Sequence, residues 1–418
     1  MEFALPEPVL EALNRLKQAG FAAYVVGGCV RDHVLGMVPH DYDICTAARP
    51  EDMKKVFFGE RTIETGIRHG TLTVVLSGMP LEITTFRVDG EYLDGRHPAS
   101  VRFAGKVEED LSRRDFTINA MAYTPDTGIV DPFGGREDCR NGIVRCVGEA
   151  EKRFEEDALR ILRALRFSAR LGFPIEENTA LAARRDKENL KKISRERIAA
   201  ELTGTLLGSH APEVLGAFPE ILCAAVPELT ELTQGSRWTH ALRTLSCIES
   251  DTVLRWAALL LDAAANDRPD LPYEVLNGLK MPCKLMESVR RLTFQGKLNR
   301  YNSRPSVHYL LMHMGPEGTN QLLKLMEADR LAMRPASAEG TIREEYALLQ
   351  NELKRLLDEN ACYSLAQLAV NGKDMAAAGL RGPRIGQTLN HLLTRVAMDE
   401  LPNEREALLN AVKEQSGI

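Results

Sequence analysis

The sequence predicts an α+β protein, with one β-sheet and its covering helices in about the first 145 residues and helices alone after them. Short runs rich in apolar and β-branched residues, typical of strands, occur at 22–26, 42–46, 71–76 and 81–86. From about residue 147 these runs disappear, and leucine and alanine recur at helical spacing. The change of pattern separates a sheet-containing part from an all-helical part.

Two of the helices predicted within the sheet-containing part follow from the spacing of their residues. Apolar residues at helical spacing, with Gly20 as a stop, predict the first over 7–19. A similar stretch predicts another near 51–58, between two strands. Both segments fit helices that pack against the sheet.

The composition is that of an ordinary globular protein. At 418 residues the chain is long enough for about two to four domains, and 44% hydrophobic with 27% charged residues is an average balance. No apolar run approaches the roughly 20 residues of a membrane span, so we expect no membrane association. The formal net charge of −6 argues against a protein that coats nucleic acid non-specifically, although it allows a local basic groove.

The first residues and the cysteines both predict a cytoplasmic protein. The segment MEFALPE lacks the basic start and apolar core of a secretory signal. The eight cysteines are scattered without a C-x-x-C pair, which indicates reduced thiols rather than a disulfide framework or a zinc site. No segment points to a protein partner, and the oligomeric state stays open.

A glycine pair follows the first predicted strand. Gly27 and Gly28 come directly after the apolar run 24–26, and they allow a sharp turn and a close approach to a ligand. A short helix is predicted from near Cys29, and the free N–H groups at a helix start suit a phosphate. Arg31 adds a forked, permanently charged donor for the same phosphate.

Two aspartates mark the second predicted strand. Asp41 and Asp43 are two residues apart at the start of the strand over 42–46, so their carboxylates point the same way. Convergent carboxylates are what Mg²⁺ needs when substrate phosphates supply its other ligands. A glycine pair or an Asp-x-Asp alone is a weak signal, but together in this order they favour nucleotidyl transfer.

These residues resemble a known motif. Gly27-Gly28 with Arg31-Asp32, followed by Asp41 and Asp43, is similar to the first motif of the nucleotidyltransferase superfamily. The resemblance is greatest to the branch that contains the bacterial (class II) CCA-adding enzymes and the poly(A) polymerases. It implies a nucleotidyltransferase head with a small mixed sheet and an elongated all-α remainder. The implied parts are a catalytic head over 1–146, a neck over 147–206, a helical body over 207–295 and a tRNA-binding tail over 296–418.

Two further features of the predicted head fit this resemblance. Glu82 lies in the predicted strand 81–86, where an acid completes the carboxylate cluster of the family, although an edge-strand charge that faces water is equally compatible with the sequence. The polar, glycine-punctuated stretch 89–100 is predicted to be a loop. It resembles the flexible loop of CCA-adding enzymes, and its presence favours addition of all three nucleotides.

The stretch 113–120, RRDFTINA, resembles the second motif of the family. The resemblance implies that Asp115 binds the ribose and Arg114 the nucleotide. This suits their chemistry, since a carboxylate accepts hydrogen bonds from hydroxyls and a guanidinium holds phosphates. A charged helix start capped by Asp115 is the alternative.

The stretch 131–135, DPFGG, resembles the third motif, and its glycines suggest a hinge.

An amphipathic helix is predicted over 156–167. At 100° per residue one side of it is apolar, formed by Ala158, Ile161, Leu162, Leu165 and Ala169. The opposite half carries Asp157, Arg160, Arg163 and Arg166, with Asp157 and Arg160 as neighbours three residues apart. Three arginines with one acid are poorly balanced unless an anion docks there, although an exposed ion pair is the common alternative. The stretch resembles the fourth motif, which implies that Asp157 and Arg160 read the incoming base and that Arg163 and Arg166 support them.

Basic stretches follow in the helical part. Residues 184–187 and 191–197 are rich in arginine and lysine, and the second stretch resembles the fifth motif. A further basic run extends from Lys284 to Arg304 and is suited to a phosphate backbone. Near the end, 368–374 and 401–406 resemble the C-terminal segment of Gram-positive-type CCA-adding enzymes.

The predicted activity is addition of C, C and A to the 3′ end of tRNA from CTP and ATP. The resemblance implies that Asp41 and Asp43, with Glu82, hold Mg²⁺ and that Gly28, Arg31, Arg114 and Asp115 bind the nucleotide. A poly(A) polymerase, an enzyme that adds only C-C or only A, and a non-catalytic RNA-binding relative are the alternatives. The intact Asp41 and Asp43 argue against the last, because a binding module does not need clustered acids beside a polyanion.

Overall fold

The computed structural model describes residues 3–67, 70–89, 101–263, 268–298 and 304–416. Most of the predicted loop over 89–100 lies outside the described residues. The chain divides into two compact units, Met1–Pro227 and Glu228–Ile418. The division into head, neck, body and tail at the predicted boundaries stays a prediction. Among the described residues, no helix has the length and apolar character needed to cross a membrane.

The first unit contains the predicted sheet. Its strands are β1 (Ala23–Val26), β2 (Asp43–Thr46), β3 (Arg61–Ile63), β4 (Thr71–Leu76), β5 (Met79–Thr85), β6 (Arg87–Asp89), β7 (Val101–Phe103), β8 (Ala122–Thr124) and β9 (Gly128–Val130). Seven of these form one sheet in the order β3-β4-β5-β2-β1-β8-β9, and β6 pairs separately with β7. The β2–β5 pair is parallel and the other pairs are antiparallel, so the predicted mixed sheet is confirmed.

The pattern of apolar residues explains why these segments are strands. In β4 buried and partly exposed side chains alternate, as expected for a strand with one face on the core. Val25 and Val26 of the central strand β1 are almost completely buried, as is Ile44 of its neighbour β2. The predicted strands over 71–76 and 22–26 agree with the structure to within one residue.

The helices of the first unit lie before, between and after the strands. They are α1 (Glu7–Gln18), α2 (Gly28–Val34), α3 (Pro50–Val56), α4 (Val107–Ser112), α5 (Gly135–Asn141), α6 (Ala150–Glu156), α7 (Leu159–Leu171), α8 (Glu177–Asp186), α9 (Arg195–Leu206), α10 (Ala211–Ala217) and α11 (Pro219–Ala225). The predicted apolar side of α7 is confirmed, since Ile161, Leu162, Leu165 and Ala169 are completely buried.

The predicted continuous helix over 156–167 is wrong. The helix α6 ends at Glu156, and Asp157 takes an extended conformation with φ −147° and ψ 103°. The Asp157 carboxylate accepts a hydrogen bond from the backbone N–H of Leu159 at 3.0 Å, close to the start of α7. Short acidic side chains compete for backbone N–H groups in this way, which interrupts a helix at a position that periodicity alone cannot reveal.

The glycines of the predicted hinge have a steric role. Gly134 lies in the left-handed region with φ 77°, which favours glycine. A Cβ atom on Gly135 would lie 2.2 Å from the carbonyl oxygen of Thr117, so the start of α5 can approach this backbone only without a side chain. The hinge itself stays a prediction.

The second unit is helical. Its helices are α12 (Ser236–Cys247), α13 (Thr252–Leu260), α14 (Leu271–Gly278), α15 (Cys283–Leu298), α16 (Arg304–Met333), α17 (Glu339–Asp358), α18 (Gly372–Ala377), α19 (Pro383–Ala397) and α20 (Arg405–Ser416). The helix α16 is kinked at Gly315, which has φ 71° and precedes Pro316. The helices α16 and α17 pack together. Together the sheet-containing start and the helical remainder confirm the α+β fold.

Candidate active site

The residues that the sequence marks as functional gather around one open pocket in the first unit. The pocket lies where β1 ends, β2 begins and α7 passes, and it has a volume of about 400 Å³. Most of the predicted residues line it: Gly28, Arg31, Asp41, Asp43, Arg114, Asp115, Arg163 and Arg166. The other three, Glu82, Asp157 and Arg160, are not among its lining residues.

The glycine turn brings two arginines to one wall of the pocket. Gly27 has φ 76°, and a Cβ atom there would lie 2.9 Å from Nη1 of Arg114. Glycine therefore lets the Arg114 guanidinium lie against the turn. Arg31 of α2 is buried and donates hydrogen bonds to Asp32 at 2.9 and 2.6 Å and to Asn119 at 2.7 Å. Its guanidinium is held in place, and its contact with a phosphate stays a prediction.

Asp41 and Asp43 lie on the acidic side of the same pocket, and both are exposed to solvent. Asp43 is the first residue of β2, whereas Asp41 precedes the strand. In the parallel β2–β5 pair, Asp43 lies in register with Glu82. The pKa of Asp43 is raised because the surrounding protein removes part of its hydration and because Glu82 and Asp41 add negative charge, while Arg114 opposes the shift.

This group of carboxylates fits a divalent cation that shares its ligands with a substrate. Within the described residues, no three His, Cys, Asp or Glu side chains form a group that could hold a metal by themselves. A hard cation at Asp41 and Asp43 would complete its shell with water and phosphate oxygens. The electrostatics agree with this interpretation, because the repulsion on Asp43 from Glu82 and Asp41 would be relieved by a cation. The position of Glu82 beside Asp43 suits a third ligand, and that role stays a prediction.

Asp115 is buried, and both of its carboxylate oxygens accept hydrogen bonds. One oxygen accepts from the backbone N–H of Phe116 at 2.8 Å and from the Asn119 amide at 3.3 Å. The other accepts from Nε of Arg163 at 2.7 Å. Burial by itself would raise the pKa of Asp115, but the charge and hydrogen bond of Arg163, with the Phe116 N–H, lower it below the ordinary value. Asp115 is therefore an ionised carboxylate at neutral pH.

The other pocket arginines differ in how well they are paired. Arg166 donates from Nε to Glu201 at 2.6 Å. Arg114 has only a long contact of 3.4 Å with Asp110, and among the described residues its buried Nε atom has no hydrogen-bond partner. A cation with unused donors at the wall of a pocket suits a phosphate. This supports the predicted role of Arg114.

Asp157 and Arg160 do not form the predicted pair. Asp157 accepts a hydrogen bond from Nη2 of Arg197 at 2.6 Å. Arg160 is buried and donates to Glu156 and to the backbone carbonyls of Arg153 and Arg113. Asp157 lies between α6 and α7 whereas Arg160 lies on α7, so their predicted position on one helix is wrong. Base reading by these residues stays a prediction.

Four residues that were not predicted as site residues hold this site together, although Arg197 lies in the basic stretch over 191–197. Asn119 bonds to both Arg31 and Asp115, Phe167 lies under three arginines, and Glu201 and Arg197 on α9 bind Arg166 and Asp157. The sequence does carry one signal for Phe167, because it is an aromatic residue on the arginine side of α7. The contacts of Asn119 with Arg31, of Glu201 with Arg166 and of Arg197 with Asp157 join residues 88, 35 and 40 positions apart, so no local pattern reveals them.

Many of the basic residues predicted to approach nucleic acid are paired with acids or carbonyls. Arg184 bonds to Glu220, and Arg290 on α15 bonds to Glu287. Arg291 bonds to a backbone carbonyl, that of His313. Arg300 and the side chains of Lys297 and Arg304 lie outside the described residues. Contacts of these helices with a phosphate backbone stay a prediction.

Comparison with known proteins covers almost the whole chain. Residues 23–145 match the poly A polymerase head domain, 172–217 a probable RNA and SrmB-binding site of polymerase A, and 249–412 a putative domain 2 of tRNA nucleotidyltransferase. The CCA-adding enzyme of Lactiplantibacillus plantarum is 35% identical over 98% of this chain and 95% of its own length. That of Streptococcus mutans is 35% identical over 99% and 98%.

The chain belongs to the family of CCA-adding enzymes. A solved structure, that of the Bacillus stearothermophilus CCA-adding enzyme in complex with CTP, agrees with this assignment. It is 34% identical and superposes with a TM-score of 0.81 over 99% of this chain and 98% of its own. The predicted resemblance to class II CCA-adding enzymes, and with it the tRNA nucleotidyltransferase class of enzyme, is confirmed. Enzymes of this kind generally use divalent metals, which fits the carboxylates of the pocket.

Proposed function

We propose that the protein adds C, C and A to the 3′ end of tRNA, with CTP and ATP as substrates, in the pocket that holds Asp41 and Asp43. The observation that carries this proposal is that these carboxylates share one pocket with the glycine turn and with Arg114, Arg163 and Arg166. The carboxylates suit a cation and the arginines suit a triphosphate. A module that only binds RNA would have no use for the acidic half of this pocket.

The roles of the residues follow from their positions. Asp41 and Asp43, with Glu82 beside them, would hold Mg²⁺, which when bound lowers the pKa of the tRNA 3′ hydroxyl and stabilises the leaving pyrophosphate. Gly28, Arg31 and Arg114 form the wall against which the triphosphate lies. Arg163 and Arg166 add positive charge from α7, and Asp115 accepts a hydrogen bond from the ribose when Arg163 moves aside. Asp157 and Arg160 select the base after leaving their present partners.

The same proposal places the protein in the cytoplasm. Cys29, Cys139 and Cys146 are buried, and burial above all raises the pKa of each thiol to about 12. Thiols of this kind stay protonated and unreactive at neutral pH. They suit the reducing compartment in which tRNA is processed.

One experiment tests the activity. Transcripts of tRNA that end before C-C-A, after the first C and after the second C are each incubated with one labelled nucleotide. We expect C on the first two transcripts and a single A on the third. Repeated A on any transcript would indicate a poly(A) polymerase, and C without the final A a partial enzyme. No incorporation with any nucleotide would leave only an RNA-binding role.

A further inference from the structure

Phe167 of α7 lies at the centre of the pocket arginines. The Cζ atoms of Arg166, Arg31 and Arg163 lie 4.6, 5.3 and 5.5 Å from the centre of its ring. The ring itself is 5% exposed and forms part of the pocket lining. One aromatic side chain thus contacts three cations that come from two different helices.

Phe167 lies on the arginine side of its helix. The apolar side of α7, which includes Ile161 and Leu165, faces the core. At 100° per residue, Phe167 lies on the other side, together with Arg163 and Arg170. On that side its ring lies among the three arginines and meets the ring of Phe116 edge to face at 5.7 Å.

Three guanidinium groups around one point repel one another, so something must hold them together. Each has a carboxylate partner: Asp32 for Arg31, Asp115 for Arg163 and Glu201 for Arg166. These partners lie on different elements and, within the described residues, none of them pairs with all three arginines. The face of an aromatic ring carries partial negative charge and attracts cations without neutralising them. The ring can therefore keep all three close while leaving their charge available to a ligand.

We propose that Phe167 is a positioning residue: its ring holds Arg31 and Arg166 in place for the triphosphate of the incoming nucleotide and keeps Arg163 beside the pocket when that arginine leaves Asp115. The inference rests on the proposed function, since the triphosphate is the anion that this pocket receives. It assigns to Phe167 an effect on affinity for the phosphates, which CTP and ATP share. The choice of base is left to other residues.

The test compares variants that keep or remove the aromatic face. Phe167→Tyr keeps a ring, whereas Phe167→Leu and Phe167→Met keep apolar volume without one. Binding of CTP, ATP and inorganic tripolyphosphate is measured by calorimetry, and KM and kcat by nucleotide incorporation. For the Leu and Met variants we expect Kd and KM to rise about tenfold for both nucleotides, with kcat within about twofold of wild type. For the Tyr variant we expect values close to wild type.

Phe57→Leu is the matched control, because Phe57 is a completely buried phenylalanine away from the pocket. We expect it to lower Tm and leave Kd unchanged. The inference is overturned if the Leu and Met variants of Phe167 behave like this control, or if the Tyr variant binds as weakly as they do. Nucleotide binding and nucleotide incorporation are measured in separate assays, so the two proposals can fail independently. A wild-type protein that binds CTP but extends no tRNA would refute the proposed function, while the ratio of Kd values would still decide the role of Phe167.

Discussion

Arg163 approaches a single oxygen of Asp115 with two of its nitrogens, Nε at 2.7 Å and Nη2 at 2.6 Å. The other oxygen already accepts two hydrogen bonds, from Phe116 and Asn119. A carboxylate has about four acceptor positions, so none is left for a ribose hydroxyl. Glu201 lies 3.8 Å from Nη1 of Arg163 and offers it a second partner. Nucleotide binding at Asp115 therefore requires Arg163 to move.

The first prediction concerns Asp115→Asn. The folded-state pKa of Asp115 lies below its ordinary value, so this carboxylate stabilises the fold at neutral pH and loses that contribution as the pH falls through the folded-state pKa. We expect the variant to lose about 1–3 kcal/mol of stability at pH 7, because Arg163 is left without its charged partner and is only partly exposed.

Thermal unfolding of wild type and Asp115→Asn between pH 3 and 8 checks this prediction. The difference in Tm should be largest near neutrality and shrink below about pH 4, where an ordinary aspartate takes up its proton. Asp126→Asn, which removes an exposed carboxylate paired with Lys17, is the control and should change Tm little. A Tm difference that stayed constant down to pH 3 would contradict the assigned ionisation.

The second prediction concerns Asp43→Asn. The surrounding protein removes part of the hydration of Asp43, and Glu82 and Asp41 add negative charge. The pKa of Asp43 is therefore raised, and the charged form is disfavoured in the folded protein without a cation. The neutral amide should therefore raise Tm slightly while nucleotide transfer is lost. Addition of Mg²⁺ should stabilise the wild type and not the variant.

Asp52→Asn provides the control, since Asp52 lies on α3 and pairs with Lys55 outside the pocket. It should retain wild-type turnover and the stabilisation by Mg²⁺. Turnover of Asp43→Asn above about a tenth of wild type, which is only ~1.4 kcal/mol of barrier, would show that the metal is held elsewhere.

The sequence predicts best the positions of site residues that lie close together along the chain. The glycine turn, Asp41 and Asp43 lie within the short segment from the end of β1 to the start of β2, so their closeness along the chain brings them to one pocket. The break at Asp157 was missed because one side-chain hydrogen bond to Leu159 ends a helix that the apolar pattern continues through. The partner of Asp157, Arg197, comes from another helix, and helix periodicity carries no information on such pairs.

The third prediction concerns Gly204→Ala. A Cβ atom on Gly204 would lie 2.5 Å from Cδ of Arg166, so the arginine stem must shift and its bond to Glu201 must lengthen. Alanine is favoured over glycine in a helix by about 1 kcal/mol, so we expect little net change in Tm. Nucleotide KM should rise severalfold, because Arg166 is displaced from the pocket. Gly340→Ala on α17, where nothing lies within 4 Å of the new Cβ atom, is the matched control and should leave KM unchanged. Equal KM values for the two variants would mean that Arg166 does not act in nucleotide binding.

The fourth prediction concerns the choice of base by Asp157 and Arg160. Cytosine and adenine each present an amino donor beside a ring-nitrogen acceptor. A carboxylate, which only accepts, suits the first, and a guanidinium, which only donates, suits the second. Uracil and guanine present a carbonyl and a ring N–H in those places.

Reading the base in this way requires both side chains to leave their present partners, Arg197 and Glu156. A wrong base would then leave buried groups unpaired, at a cost of about 1–3 kcal/mol each. The discrimination against UTP and GTP should reach roughly a hundredfold. Asp157→Asn should weaken it, because an amide both accepts and donates.

Incorporation of all four nucleotides by Asp157→Asn decides the matter, with Glu155→Gln as the matched control. Glu155 is an exposed acid two residues away, so its loss removes the same charge without touching a base reader. The control should keep the selectivity of wild type, whereas Asp157→Asn should accept UTP or GTP at a rate within about tenfold of CTP. Unchanged selectivity in Asp157→Asn would show that Asp157 serves only to bind Arg197 and that the base is read by other residues.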